Sequence, residues 1–339
     1  MNTALLSCLA ELGIGEPSIC NNLAMVPLFR KANIEPNYIT LDEGLTSSLF
    51  EIEELDGGAS VSNILFRNKA GEQALLFEGE EFLGAMQNRI LNVTVLVSPK
   101  TEQKLPVSCV EAGRWHHEHA DRKKQRFTVA NRMHYARGRA LGNRAVSMNL
   151  ASSNEYRSDQ SGIWSDIDEK SSRMNARSPS AASDALYVSS EDRINEYVKS
   201  FKHHPKQVGS VFLIDGHVTG MELFASESTH NKVINKLLRS YALDAVDSAL
   251  PQSDKVTSDS NMNTQDQCIH AVNEFNDQLK SAWTKEFQGV CEGINVRFKD
   301  ERLTGGALLY EDQILHFCAF AIPEELTFPR RPHRSYSPV

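Results

Sequence analysis

The stretch ILNVTVLVSPKTEQKLPVSCVE (90–111) decides how the N-terminal part of this chain is read. Its first eight residues alternate, with Leu91, Val93, Val95 and Val97 on one face of an expected strand and Asn92 and Thr94 on the other. The polar turn SPKTEQ separates this run from a second one, in which Leu105, Val107, Cys109 and Glu111 share a face. Pro106 has no backbone N–H to give to a ladder, so it predicts an edge position or a bulge.

Working toward the N-terminus, NNLAMVPLF (21–29) and FEIEEL (50–55) read as strands, and DEGLTSSL (42–49) between them as a short helix with Asp42 near its start. SNILFRN (62–68) and QALLFE (73–78) surround Gly71 in the pattern of a hairpin. Short strands separated by turn signals point to a sandwich or barrel.

Toward the C-terminus the composition shifts. Residues 114–144 hold nine Lys or Arg against Glu118 and Asp121, a net of +7 inside a chain of net charge −8. Residues 150–193 are rich in Ser, Asn and Asp, with short helices expected near 160–173 and 190–202, and read in part as a flap. GSVFLIDGHVTGMELF (209–224) is a hairpin turning at Asp215-Gly216. Residues 228–248 keep a helical period through Val233, Leu237, Leu238, Tyr241, Ala245 and Val246. Residues 250–263 read as a linker. Thr264 with Gln267 then opens a helix through a capping box, with Cys268, Val272, Phe275, Leu279 and Trp283 as its buried stripe. Strands are expected near 293–298, 305–311 and 313–321, and the tail 323–339 is expected to be unpacked. The expected fold is α+β: an N-terminal antiparallel β-sandwich over 1–113, packed against a mixed α/β unit over 114–322 that carries a helical insert.

Composition bounds the function. Hydrophobic residues at 40% and charged residues at 24% are ordinary for a globular chain. The negative net charge argues against a surface given over wholly to nucleic acid. No apolar run approaches the roughly 20 residues a bilayer needs, so no membrane partner is expected. Glu11, and the lack of Lys or Arg before the first apolar stretch, argue against a secretory signal. Six scattered cysteines with no C-x-x-C pair suit reduced thiols and a cytoplasmic location, and weigh against a cysteine-rich zinc site. Neither a P-loop nor a dinucleotide-binding glycine fingerprint is present, and no cofactor is indicated.

Chemistry concentrates in GEEFLGAMQNRILN (79–92), where Glu80, Glu81, Gln87, Asn88, Arg89 and Asn92 lie between apolar strands. An unpaired charge against a core wall costs several kcal/mol, so these groups must brace one another or meet a ligand. Adjacent strand residues face opposite ways, so Glu80 and Glu81 serve one site only if Gly79 or Gly84 allows a turn.

GEEFLGAMQNRILNVTVLV followed by LPVSCVEAGRW resembles the signature block of the ARG and rhodanese-phosphatase-superfamily-associated protein domain family. The likeness continues through DQSGIW (159–164), QVGSVFLIDGHVTGMELF (207–224), LLRSYALDAV (237–246) and GGALLYEDQILHFCAF (305–320). The resemblance implies a bacterial conflict or repair setting and a ligand near NAD, ADP-ribose, nucleotide or RNA-end chemistry. If the protein is an enzyme, it implies a hydrolase acting on a phosphorylated nucleotide-type substrate. The matched polar residues are Glu80, Glu81, Gln87, Asn88, Arg89, Cys109, Glu111 and Arg114.

In that light Glu80, Glu81 and Glu111 are candidate acids or bases, and Cys109 a candidate nucleophile. Gln87, Asn88, Arg89, Asn92, Arg114 and Trp115 are candidate ligand contacts, the arginines for phosphate. Cys109 also fits a buried inert thiol. The basic stretch 114–144, with Trp115, Phe127 and Tyr135 among its cations, suits nucleic acid as well as a solvated face. HHEH (116–119) lacks the acid and the glycines of a histidine metal motif and is read as a solvated cluster. A non-catalytic sensor or adaptor, binding nucleic acid or a partner enzyme, is the competing reading.

Overall fold

The computed structural model describes residues 2–31, 37–55, 62–113, 126–250 and 264–322. The chain begins with α1 (Thr3–Ala10), β1 (Gly13–Ile14), β2 (Ser18–Cys20), β3 (Leu23–Phe29), β4 (Tyr38–Thr40), α2 (Leu41–Thr46), β5 (Phe50–Glu54) and β6 (Asn63–Asn68). There follow β7 (Gln73–Leu76), β8 (Glu80–Gly84), β9 (Arg89–Leu91), β10 (Val95–Val97), β11 (Thr101–Cys109) and β12 (Phe127–Met133). The middle is helical: α3 (Ala136–Ser153), α4 (Gln160–Arg173), α5 (Asp184–Ser189) and α6 (Glu191–Ser200). The hairpin β13 (Gln207–Ile214) and β14 (His217–Phe224) leads into α7 (Glu227–Ser248). Last come α8 (Gln265–Ser281), β15 (Trp283–Gln288), β16 (Ile294–Lys299), β17 (Leu303–Tyr310) and β18 (Gln313–Ala321).

The fold is α+β. A nine-stranded antiparallel sheet runs β1-β3-β13-β14-β18-β17-β16-β15, with β2 also on β3. A six-stranded sheet runs β12-β8-β9-β11-β6-β5, and a three-stranded sheet runs β10-β7-β4 with β4 parallel to β7. Residues 13–29, placed with the first unit by their position in sequence, belong to the large sheet: β3 pairs with β13, Val26 opposite Val211, and β1 and β2 pair with β3.

Residues 90–97 divide into β9 and β10, in different sheets. The facing was nonetheless read correctly, since Leu91, Val93, Val95 and Val97 enter one apolar cluster with Leu105 and Val107. Thr94 and Asn92 turn to polar partners on the other side. Pro106 ends the pairing of β11 with β6; from Val107 onward the same strand pairs with β9. The missing donor thus falls where one ladder gives way to another. The hairpin expected around Gly71 does not form: β6 pairs with β5 and β11, whereas β7 pairs with β4 and β10.

Asp215 and Gly216 turn the β13–β14 hairpin with φ of 51° and 81°, the left-handed region such a turn requires. The capping box at Thr264 and Gln267 is present. Cys268, Val272, Phe275 and Leu279 are buried as expected, but Trp283 begins β15 and is 54% exposed. Helix α3 was not expected, because its cations masked its period. The linker 251–263 and the tail 323–339 lie outside the described residues.

Candidate functional site

The turn from β12 into α3, NRMHYARGRALGN (131–143), is the polar hub of the molecule. Arg132 Nε lies 2.9 Å from Glu81 Oε2, and its NH2 lies 2.6 Å from Asp184 Oδ1. His134 Nδ1 lies 2.9 Å from Glu81 Oε1. Tyr135 donates to Asp166 (2.8 Å), and the Arg137 backbone N–H donates to Asp244 (2.8 Å). Arg139 NH1 is 2.7 Å from Glu222 Oε1, and Asn143 Nδ2 donates to Glu78 (2.8 Å).

Two glycines make this close approach possible. Gly79 has φ of 90°, and a Cβ there would sit 2.5 Å from Arg139 Nε. A Cβ on Gly138 would sit 2.6 Å from His134 Nε2, so the imidazole lies in the space a side chain would otherwise fill. Four of the five arginines of 126–144 are paired with acids: Arg126 with Glu51, Arg132 with Glu81, Arg137 with Asp166 and Arg139 with Glu222. Within this part of the stretch expected to be a basic face, Arg132 and Arg139 belong to an internal ion-pair seam, whereas Arg126 stays exposed. Arg114, Trp115 and HHEH (116–119) lie outside the described residues.

Glu80 and Glu81 face opposite ways, as strand geometry requires. Glu80 meets Lys236 of α7 at 2.9 Å, and Lys236 also reaches Asp42 at 2.6 Å. Burial pushes the Glu80 carboxyl up; Lys236 counters this, and Asp42, a second anion on that ammonium, adds to it. For Glu81, burial opposes the charge, but Arg132 and then His134 outweigh it and the carboxyl is held below its usual range. Glu81 is thus an ionised carboxylate orienting an imidazole. The other nitrogen of that ring, His134 Nε2, is buried and has no hydrogen-bond partner among the described residues.

The second polar patch gathers Gln87, Asn88 and Glu111, whereas Glu81 and Arg89 of the same segment lie with Arg132 and Glu54. Gln87 Nε2 donates to Glu111 O (3.1 Å), and the Asn88 backbone N–H donates to Glu111 Oε2 (3.2 Å). A strap over residues 178–184 covers this carboxylate. Ser180 Oγ donates to Glu111 Oε1 (2.6 Å), and Ser183 N donates to Val110 O (3.0 Å). Gln87 Oε1 and Ser183 Oγ are buried with no hydrogen-bond partner among the described residues. The 178–184 part of the expected flap is thus hydrogen-bonded to this patch, and Asp184 at its end joins it to Arg132 and Glu81.

Arg89 and Cys109 sit deeper. Arg89 is fully buried, with NH2 3.6 Å from Glu54, so an internal carboxylate faces it. Asn92 bridges Ser108 and the carbonyl of Tyr156. Burial pushes the Cys109 thiol up, and its Sγ donates to Glu111 O (3.3 Å). A raised thiol pKa opposes a thiolate nucleophile, so the geometry favours the inert-thiol reading.

Arg132, His134, Arg139, Glu222 and His316 are among the polar residues of the site that the sequence does not single out. Glu222 accepts from Tyr241 (3.1 Å) and pairs with His316 Nε2 (3.1 Å), whose Nδ1 meets Thr94 Oγ1 (2.7 Å). A signal existed: GMELF and LHFCAF each carry one ionisable residue inside an otherwise apolar strand. Among the described residues, no three His, Cys, Asp or Glu side chains are placed to hold a metal ion, and no helix is long and apolar enough to cross a membrane.

Fold and site together define an α+β protein whose two main sheets meet across a buried ionic seam. The chain belongs to the family of the ARG and Rhodanese-Phosphatase-superfamily-associated Protein domain, whose model matches residues 11–320. Comparison with curated proteins and with solved structures finds no significant match.

Proposed function

We propose that this protein binds a phosphorylated nucleotide-type ligand, such as a nucleotide, NAD or an ADP-ribose-like molecule, beside Glu111 and beneath the 178–184 strap. The observation that supports a ligand there is the pair Gln87 Oε1 and Ser183 Oγ, buried polar atoms flanking Glu111 that the described protein groups leave unsatisfied. The ligand class rests on the family resemblance and on the conflict or repair setting it implies. Glu111 and the Gln87 amide would accept and donate to a ribose or base edge.

A second reading, hydrolysis, draws on the Glu81–His134 pair. A carboxylate on Nδ1 orients an imidazole and leaves Nε2 available as a base or acid. Against turnover, Glu80, Glu81 and Glu111 each already hold internal partners, which favours a sensor or adaptor.

The test is a thermal-shift panel of NAD, ADP-ribose, cyclic nucleotides and short RNA. A ligand at about 100 times its Kd raises stability by about 2.7 kcal/mol. We expect a nucleotide-type compound to stabilise the wild type and Gln87→Leu to lose that shift while staying folded. A panel without response, or a response unchanged in Gln87→Leu, refutes the site. Turnover of the bound compound that His134→Gln abolishes would establish the hydrolytic reading.

A further inference from the structure

Gln87 Oε1 and Ser183 Oγ, the atoms on which the ligand site rests, are buried, so a ligand reaches them only when something moves. Strand β9 beside them is held in ladders by β8 and β11. The strap is held more lightly. It meets the body of the protein at the bridge of Glu111 with Ala182, where Ser183 N–H donates to Val110 O (3.0 Å) and Gly113 N–H donates to Ser180 O (2.8 Å). Ser180 Oγ adds its bond to Glu111 Oε1 (2.6 Å).

Other bonds of the strap are internal. Ser178 Oγ accepts from the backbone N–H of Ser180 (3.3 Å) and of Ala182 (3.1 Å), and Ala181 N–H donates to Ser178 O (3.2 Å). A loop that bonds itself in this way moves as one piece, here between the buried anchors Ala176 and Leu186. Its close seat depends on Gly113, where a Cβ would stand 3.0 Å from Ser180 Cα. The far end is fastened by charge. Asp184, 41% exposed, reaches Arg132 NH2 at 2.6 Å, and Tyr187, one turn on in α5, lays its ring 4.2 Å from the same guanidinium. A part-exposed ion pair is weak, which suits a fastening that opens. Arg132 keeps Glu81 at 2.9 Å on Nε when Asp184 leaves, so opening strands no buried cation.

We propose that residues 178–183 form a lid over the Glu111 site, latched by the Asp184–Arg132 ion pair, and that a ligand enters by lifting it. The inference rests on the nucleotide-type reading for what enters, and on the strap's own contacts for the latch. The closed lid lowers the fraction of molecules ready to bind, and weakening the latch raises it.

The experiment measures amide hydrogen exchange on the full chain without ligand, comparing wild type with Asp184→Ala and with Gly113→Ala. We expect the Ser183 amide, which bonds across to Val110, to exchange about tenfold faster in both variants, while the amides of β13 and β14 keep their wild-type rates. ADP-ribose should then associate faster with both variants by the same factor, since both rates read the open fraction. The two variants act at opposite ends of the lid, so the test stands if one of them fails to fold. Unchanged exchange at Ser183 overturns the latch. Faster exchange with ADP-ribose entering at the wild-type rate overturns the lid as the way in. Faster exchange with no ADP-ribose binding in any form supports the latch and counts against the nucleotide-type reading instead.

Discussion

The two faces of the nine-stranded sheet are built from the same strands yet hold together by different physics. Met221, Leu223, Val296, Phe298, Phe317 and Ala319 point to α8 and form an apolar layer with Cys268, Val272, Phe275 and Leu279. Their neighbours Glu222, Arg297 and His316 point the other way, among apolar residues such as Met25, Phe212, Phe224 and Phe320 that pack with α7; Glu222 and Arg297 meet α3, and His316 meets Thr94. The first face needs only apolar shapes of suitable volume. The second needs each charge matched, because a buried charge is tolerated only when paired and hydrogen-bonded. The difference lies in the charges: both faces bury apolar side chains, and only the second adds buried ion pairs that join it to α3.

The largest expected effect comes from neighbouring residues on opposite faces. Glu222→Gln keeps the volume but leaves Arg139 buried without its anion, and should cost about 3–5 kcal/mol by chemical denaturation. Leu223→Ala, one residue on, should cost about 2–5 kcal/mol through its cavity. A loss below about 1 kcal/mol for Glu222→Gln would show that the ionic face does not hold the sheet to α3. Replacing Glu222 and Arg139 together by Leu and Met should recover much of the loss, since an apolar pair avoids desolvation.

Gly79→Ala probes the seam through its backbone. At φ of 90° an alanine is strained, and its Cβ would displace Arg139. The expected cost is about 1–3 kcal/mol. An unchanged denaturation midpoint would mean that Arg139 can move freely, which the ion pair at 2.7 Å opposes.

Acid should separate the faces. In Glu81 and Glu222 burial opposes ionisation, but Arg132 with His134, and Arg139 with His316, outweigh it, and both carboxyls are lowered. In the unfolded chain such groups take up protons near about pH 4.3. Between that value and their lower native one, the unfolded state binds more protons. Their contribution is therefore full above about pH 4.3 and is lost as pH falls through the native values, by about 1.4 kcal/mol per pH unit for each group. Denaturation curves taken from pH 6 to pH 3 should show this slope in the wild type and a shallower one in Glu81→Gln. Equal slopes would remove Glu81 from the seam.

The smallest effect is expected at Trp283→Ser, on the edge strand β15 and outside both apolar clusters. The indole is 54% exposed, with Lys299 Nζ 5.6 Å from its ring, and the change should stay within about 0.5 kcal/mol. A larger loss would extend the apolar layer to β15.

The apolar packing of both faces was legible because hydrophobic periodicity reports local geometry. The stripe of α8, the α7 period and the Asp215-Gly216 hairpin were all readable, and only Trp283 was assigned to the wrong side. Polar density between apolar strands marked Glu81, Gln87, Asn88, Arg89 and Glu111 as one group, but the hydrogen bonds join Gln87, Asn88 and Glu111, while Glu81 meets Arg132 and Arg89 meets Glu54. The ionic pairing was not legible. Arg132, Arg137 and Arg139 look in sequence like members of a solvated basic run, and nothing local says that Glu81, Asp166 and Glu222 wait for them.

The sequence by itself determined the α+β class, most strand and helix positions, the family and the segment where polar chemistry gathers. These follow from period, turn chemistry and capping, which act over a few residues. Only the tertiary structure decided that residues 13–29 join the C-terminal sheet, that 90–97 divides between two sheets, and that four arginines of 126–144 pair with acids. Each of those depends on partners far away along the chain, Val211 for Val26 and Glu222 for Arg139, and a pairing across such a separation leaves no periodic mark in the sequence.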